Sequence, residues 1–166
     1  MNDQTLLELA ALTLQTRDGE GRAQLVDQLH VPIAAVLAGD AALTDVQRQK
    51  LRYLFTDYEW MLAQKVAVLE ETARSEQGVT WRYQNAKATI AMAWLANAKV
   101  TTAMTQVPQP NGTLAHHLRI KRTYGVHGLE DILDFVVPKP VAQQLATKKL
   151  DLLTWAAAQL PAPQPK

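Results

Sequence analysis

An apolar stripe in the middle of the chain constrains the fold more than any other feature of the sequence. Large apolar residues and a final alanine recur there at steps of four and three, namely Leu51, Phe55, Tyr58, Leu62, Val66, Leu69 and Ala73. This spacing places them on one face of a helix. Thr44 and Gln47 precede the stripe with the spacing of a capping box, so we expect a long helix that begins there and persists until Gly78.

The segment that follows, residues 81–104, is rich in alanine and carries few bulky apolar side chains. Small residues permit close packing of two helices, so we expect a long antiparallel hairpin that turns near residues 77–80. A hairpin of this kind can also join two copies of the chain. We therefore predict a homodimer, with an interface that includes Leu62, Val66, Leu69, Ile90 and Trp94.

The remaining segments also favour helices. Alanine and leucine supply 48 of the 166 residues, and alternating runs of β-branched residues are almost absent. We expect helices over residues 5–16, 21–30, 32–39, 114–122, 129–136 and 140–160, with a loop over 107–113. The prediction is an all-α protein with a helical subdomain over 1–58, a hairpin and C-terminal helices packed as one unit over 59–160, and a disordered tail over 161–166.

The order of the N-terminal elements carries a resemblance to a known family. Short helices are followed by "VLAGD", then "ALT", then a helix containing "QRQKLRYLF". Over about residues 4–58 this order resembles the helix-turn-helix of phage-repressor (Cro and XRE-like) proteins. Leu37 and Gly39 match the end of the recognition helix, and Leu43 and Thr44 match the start of the next. The resemblance implies a bacterial or prophage transcriptional regulator that binds DNA.

The composition of this N-terminal part also supports an alternative. The segment "PIAAVLA" has none of the Arg, Lys, Asn or Gln side chains that read base edges. Residues 1–58 hold five basic and eight acidic side chains. This excess of negative charge disfavours binding to the phosphates of DNA. The alternative is a helical interaction or adaptor protein that uses a degenerate helix-turn-helix fold to dock a protein partner.

The net charge of +1 conceals an uneven distribution along the chain. Residues 77–129 contain no carboxylate side chain, and the densest basic cluster lies there, in "HHLRIKR". Such a bias indicates an anionic partner, a solvated basic face, or a contact with the acidic N-terminal half. For nucleic acid, the candidate phosphate-binding residues are Arg119, Lys121 and Arg122, with Arg48, Lys50 and Arg52 nearer the N-terminus.

Nothing in the sequence indicates catalysis or a bound metal. The chain has no cysteine, and the glycine-rich, nucleophile and HExxH motifs of common enzyme classes are missing. His116 and His117 are adjacent, so on a helix they would point about 100° apart. We predict a non-enzymatic protein without metal or cofactor. The most membrane-like stretch, residues 88–98, is too short to span a membrane, and we expect a cytoplasmic location.

Overall fold

The computed structural model describes residues 1–14, 21–97, 99–108 and 112–162. The helices are α1 (Asp3–Leu14), α2 (Gly21–Leu29), α3 (Ile33–Ala38), α4 (Asp45–Arg52), α5 (Asp57–Thr72), α6 (Gly78–Leu95), α7 (Lys139–Ala146) and α8 (Leu152–Ala157). The strands are β1 (Val100–Pro108), β2 (Leu114–Tyr124) and β3 (Leu129–Val137).

The N-terminal helices confirm the predicted order. α1, α2 and α3 lie within two or three residues of the expected bounds, although residues 15 and 16 of the first prediction lie outside the described residues. Gly39 ends α3 with a φ of +82°, a conformation that glycine adopts at little cost. The predicted capping box also forms, because the Thr44 hydroxyl accepts from the Gln47 N–H while the Gln47 side chain accepts from the Thr44 N–H.

The prediction of one long helix from Thr44 is wrong. The chain leaves the helix after Arg52 and starts again at a second capping box, in which Thr56 and Glu59 exchange the same pair of bonds. The hairpin itself is confirmed over α5 and α6, which run antiparallel. Ion pairs between Glu59 and Lys87 and between Glu70 and Arg82 join the two helices.

The all-α prediction is wrong, because residues 100–108, 114–124 and 129–137 form the three strands of an antiparallel sheet in the order β1-β2-β3. The predicted helices over 114–122 and 129–136 are strands, and the end of the predicted 81–104 helix is β1. Leu118 and Ile120 are buried, whereas Arg119 and Lys121, which alternate with them, are partly exposed, and this alternation has the period of a half-buried strand. Gly125 and Gly128 supply positive φ at the turn between β2 and β3.

The expected C-terminal helix over 140–160 is interrupted. α7 ends at Ala146, the chain passes Lys148 at a φ of +55°, and Asp151 caps α8. Trp155 of α8 is buried and meets the ring of Phe135 edge-on at 5.2 Å between ring centroids. In the tail, the carbonyl of Ala162 accepts from the Trp81 indole at 3.0 Å, and residues 163–166 lie outside the described residues.

Two hydrophobic clusters share α6. The first is formed by helices α1, α2, α3, α4 and α5 and by the N-terminal half of α6. It contains Leu9, Leu51 and Tyr83. The second lies between one face of the sheet, the C-terminal half of α6, α7 and α8, and it contains Trp94 and Ile120. Because α6 contributes to both clusters, the helical and sheet parts pack on a common element.

Polar side chains of the helices cover the outer edge of β3. Thr56 donates to the Ile132 carbonyl, and the Asp134 N–H donates to the Glu59 carboxylate at 2.7 Å. Lys87 donates to the Asp134 carbonyl at 2.5 Å and pairs with Glu59 at 2.8 Å. Glu59 is 1% exposed and Lys87 8% exposed. These bonds satisfy a strand edge that would otherwise be buried without partners.

Candidate nucleic-acid interface

The helix α3, which the resemblance assigns to DNA recognition, presents no hydrogen-bonding side chain to solvent. Ile33 and Val36 are buried in the first cluster, and Ala34 and Ala38 are exposed. The first side chain with a polar group after the helix is that of Asp40, an acid. An exposed surface of alanine methyl groups cannot distinguish base edges by hydrogen bonds.

The three predicted cations of α4 have different surroundings. Arg48 pairs with Asp3 of α1 at 2.5 Å, and Lys50 is exposed. Arg52 pairs with Asp57, donates to the Phe55 carbonyl at 3.1 Å and lies 5.1 Å from the ring centroid of Trp60. Arg48 therefore ties α4 to α1, whereas Arg52 lies at the turn into α5.

The three predicted cations of β2 divide between the two faces of the sheet. Arg119 and Lys121 lie on the face of the sheet opposite the second hydrophobic cluster, because alternate residues of a strand point the same way. Arg119 pairs with Asp134 at 2.9 Å, and Lys121 pairs with Glu130 at 2.9 Å. Arg122 points to the other face, where its guanidinium lies 5.1 Å from the ring centroid of Tyr124.

One cleft brings the two basic groups together. Arg52 from the end of α4 and Arg119 from β2 line the same open cleft of about 430 Å³. Gln49 and Tyr53 of the α4 end also line it, and Tyr53 is 75% exposed. We name this set the α4–β2 cleft. Lys121 lies two residues beyond Arg119 on the same face of β2, so it extends the cationic surface along the strand.

A second, smaller cleft of about 260 Å³ adjoins the first and is lined by His117, Arg119, Asp134 and Glu59 among others. Burial opposes ionisation of Asp134, but hydrogen bonds from His117 and Arg119, together with their charges, hold the pKa of Asp134 below its usual value of 3.8. The Nδ1 atom of His117 lies 3.4 Å from the Asp134 carboxylate. Asp134 of β3 thus orients the side chains of His117 and Arg119 on the neighbouring strand β2.

Sequence reasoning missed the residues that complete these clefts. Asp134 appears in the sequence as one of several acids on a supposed helix, and its role depends on its pairing opposite Arg119 in the sheet. Gln49 and Tyr53 lie within the "QRQKLRYLF" segment, which also holds three cations. The presence of a polar and an aromatic side chain beside these cations is the signal in the sequence that could have indicated their part in the cleft. His117 belongs to the predicted basic cluster, but only the strand places it beside Asp134.

The residues predicted for a dimer interface lie mainly inside the chain. Leu62 and Val66 are buried in the first cluster and Trp94 in the second, while Ile90 is partly buried between them. Leu69 is 54% exposed. The hairpin therefore uses most of this apolar surface to pack its own helices and the sheet.

Two further properties of the described residues bear on function. Within residues 1–14, 21–97, 99–108 and 112–162, no group of three or more histidine, aspartate or glutamate side chains is placed to hold a metal ion. No helix in the same part of the chain has the length and apolar character needed to cross a membrane.

Comparisons with protein families, characterised proteins and solved structures found no match.

Proposed function

We propose that the chain is a nucleic-acid-associated regulatory protein that binds the phosphate backbone in the α4–β2 cleft. The observation that carries this proposal is the convergence of Arg52 and Arg119, which are 67 residues apart in the sequence, beside the exposed ring of Tyr53. Cations beside an exposed aromatic ring are the usual means of holding nucleic acid without reading its sequence.

The carboxylates beside Arg52 and Lys121 do not prevent these two cations from binding phosphate. Arg52 pairs with Asp57, whose side chain is 99% exposed, and Lys121 pairs with Glu130 at the sheet surface. Exposed ion pairs contribute only about 0–1 kcal/mol to stability. An arginine bound to phosphate through two parallel hydrogen bonds gains more than this, so phosphate can replace the carboxylate as partner.

The proposed binding is independent of base sequence. The surface of α3 offers alanine methyl groups, which have no donor or acceptor for a base edge, and we assign the cations of the cleft to the phosphates. Tyr53 favours unpaired bases, because a ring can stack on a base only when the base is not already stacked in a duplex. We expect single strands to bind more tightly than duplexes of the same length. Regulation of transcription and a cytoplasmic location are expectations from the sequence that we include in this proposal.

The test is fluorescence anisotropy with a labelled 20-nucleotide single strand and its duplex at low salt. Tyr53→Ala removes an exposed ring, and we expect single-strand affinity to fall by about 1–3 kcal/mol while duplex binding changes little. Lys121→Gln should weaken the binding of both the single strand and the duplex. Lys65→Gln on the exposed surface of α5 removes the same charge outside the cleft and is the matched control.

A second candidate function is the adaptor role. The observation that favours it is the outer surface of α3, where exposed Pro32, Ala34 and Ala38 present apolar atoms without a hydrogen-bonding side chain. The same titration separates the two candidates. Absence of binding to either oligonucleotide at low salt would remove nucleic acid as the ligand and leave the adaptor role in first place.

A further inference from the structure

The edge strand β1 lies outside the α4–β2 cleft and has one side that no described strand pairs with. Its other side pairs with β2. Its nine residues, VTTAMTQVP, include no charged side chain, and most of them are exposed. Natural edge strands of this length are normally protected by charges or a covering element, because a free edge is a template for another strand.

The direction of the outward hydrogen-bonding groups follows from the other edge of the sheet. The N–H and C=O of Asp134 bond to Glu59 and Lys87, so they point away from β2. Backbone groups of successive residues in an antiparallel ladder point to alternate sides. Arg119, which lies opposite Asp134, therefore points its backbone groups at Ala103 of β1. The residues of β1 whose groups point outward are then Val100, Thr102, Met104 and Gln106.

We propose that β1 pairs antiparallel with β1 of a second copy of this chain, about a two-fold axis that passes between the two Met104 residues. Met104 then lies opposite Met104 of the second copy, and Thr102 lies opposite Gln106. The two sheets become one antiparallel sheet of six strands. This inference is independent of nucleic-acid binding.

The strand fits a second copy of itself in three respects. No two like charges oppose one another, because β1 has no charge. Pro108 lacks an N–H, and in this register it falls opposite Val100 at the last pair, where the loss of a donor disturbs the ladder least. The side chain of Met104 is partly buried at the second hydrophobic cluster, so the two-fold axis places apolar groups together.

The opposite edge of the sheet limits the assembly to two copies. Thr56, Glu59 and Lys87 already occupy the Ile132 carbonyl and the N–H and carbonyl of Asp134 in the middle of this edge, so β1 of another molecule cannot add there. A contact between β1 and β3 would extend into a filament, whereas a contact between two β1 strands closes. The pairing is therefore a closed dimer.

Analytical ultracentrifugation of the full chain at about 1–100 µM is the first test, and we expect a species of twice the 18.4 kDa mass. Thr102 and Gln106 are exposed, so lysine is tolerated at both in the single chain. The double variant Thr102→Lys/Gln106→Lys sets lysine opposite lysine and should sediment as a monomer. The matched variant Thr102→Lys/Gln106→Glu sets lysine opposite glutamate and should remain a dimer.

Amide hydrogen exchange of the unmodified chain tests the register without substitution. In the dimer, the amide protons of Thr102, Met104 and Gln106 are protected as well as those of Thr101, Ala103 and Thr105. In a monomer, only the second set is protected, through β2. A monomer at every concentration, or equal masses for the two double variants, would overturn the proposal.

Discussion

Substitution of Lys87 tests how the helices hold the sheet. The ammonium group lies between the Glu59 carboxylate, the Asp134 carbonyl and the ring of Phe135, with its nitrogen 4.3 Å from the ring centroid. Lys87→Met fills similar space but leaves Glu59, which is 1% exposed, without a counter-ion. Loss of one partner of a buried ion pair costs about 3–5 kcal/mol, a large share of the roughly 5–15 kcal/mol that stabilises a domain.

The second member of the pair provides a double-mutant cycle. Glu59→Met/Lys87→Met removes both charges but leaves the N–H groups of Thr56 and Asp134 and the Asp134 carbonyl without partners. At about 1–2 kcal/mol for each group, the double variant should lose roughly 3–6 kcal/mol, less than the sum of the single losses.

Urea unfolding followed by circular dichroism at 222 nm measures these losses. Lys65→Met, an exposed lysine on α5, is the control and should lie within about 0.5 kcal/mol of the unmodified chain. In the unmodified chain, the Asp134 amide proton should exchange as slowly as amides between strands, and this measurement does not require any variant to fold. A loss below about 1 kcal/mol for Lys87→Met would refute the role assigned to this pair.

Three further substitutions test other parts of the fold. Because the pKa of Asp134 is lowered in the folded state, its ionised form stabilises the fold above the usual pKa of 3.8 that it regains on unfolding, and this contribution disappears as the pH falls through the folded value. Asp134→Asn should therefore destabilise the chain at pH 7 and progressively less below pH 4, as measured by urea unfolding across pH. Thr56→Ala removes a helix cap and the bond to the Ile132 carbonyl, and it should lower the free energy of unfolding by about 1–3 kcal/mol. Ile120→Ala empties a fully buried site in the sheet and should lower the melting temperature through a loss of about 2–5 kcal/mol.

The helical part of the fold could be predicted because its signals are local. The Thr44 cap, the end of α3 at Gly39 and the pairing of α5 with α6 all follow from residues close in the sequence. The break before Thr56 was missed because the apolar stripe continues across it. There, Phe55 is buried as the stripe predicts although the backbone is no longer helical.

The sheet was missed because the high content of alanine and leucine and the lack of alternating β-branched runs favour helices over the whole chain. The alternation of Leu118 and Ile120 with Arg119 and Lys121 has a period of two and favours a strand, but it is only four residues long. The contacts of Glu59 and Lys87 with Asp134 could not be predicted at all, since they depend on the position of β3 beside α5. The α4–β2 cleft has the same origin, because both of its arginines were predicted as candidates but their proximity is a property of the tertiary structure.

The salt dependence of oligonucleotide binding tests the central claim most directly. We expect the logarithm of the association constant of the unmodified chain to fall linearly with the logarithm of the salt concentration. In Arg52→Gln/Arg119→Gln the slope should flatten by about one to two units, because each lost phosphate contact removes about 0.7–0.9. A slope unchanged in this double variant, together with unchanged affinity, would contradict phosphate binding in the α4–β2 cleft.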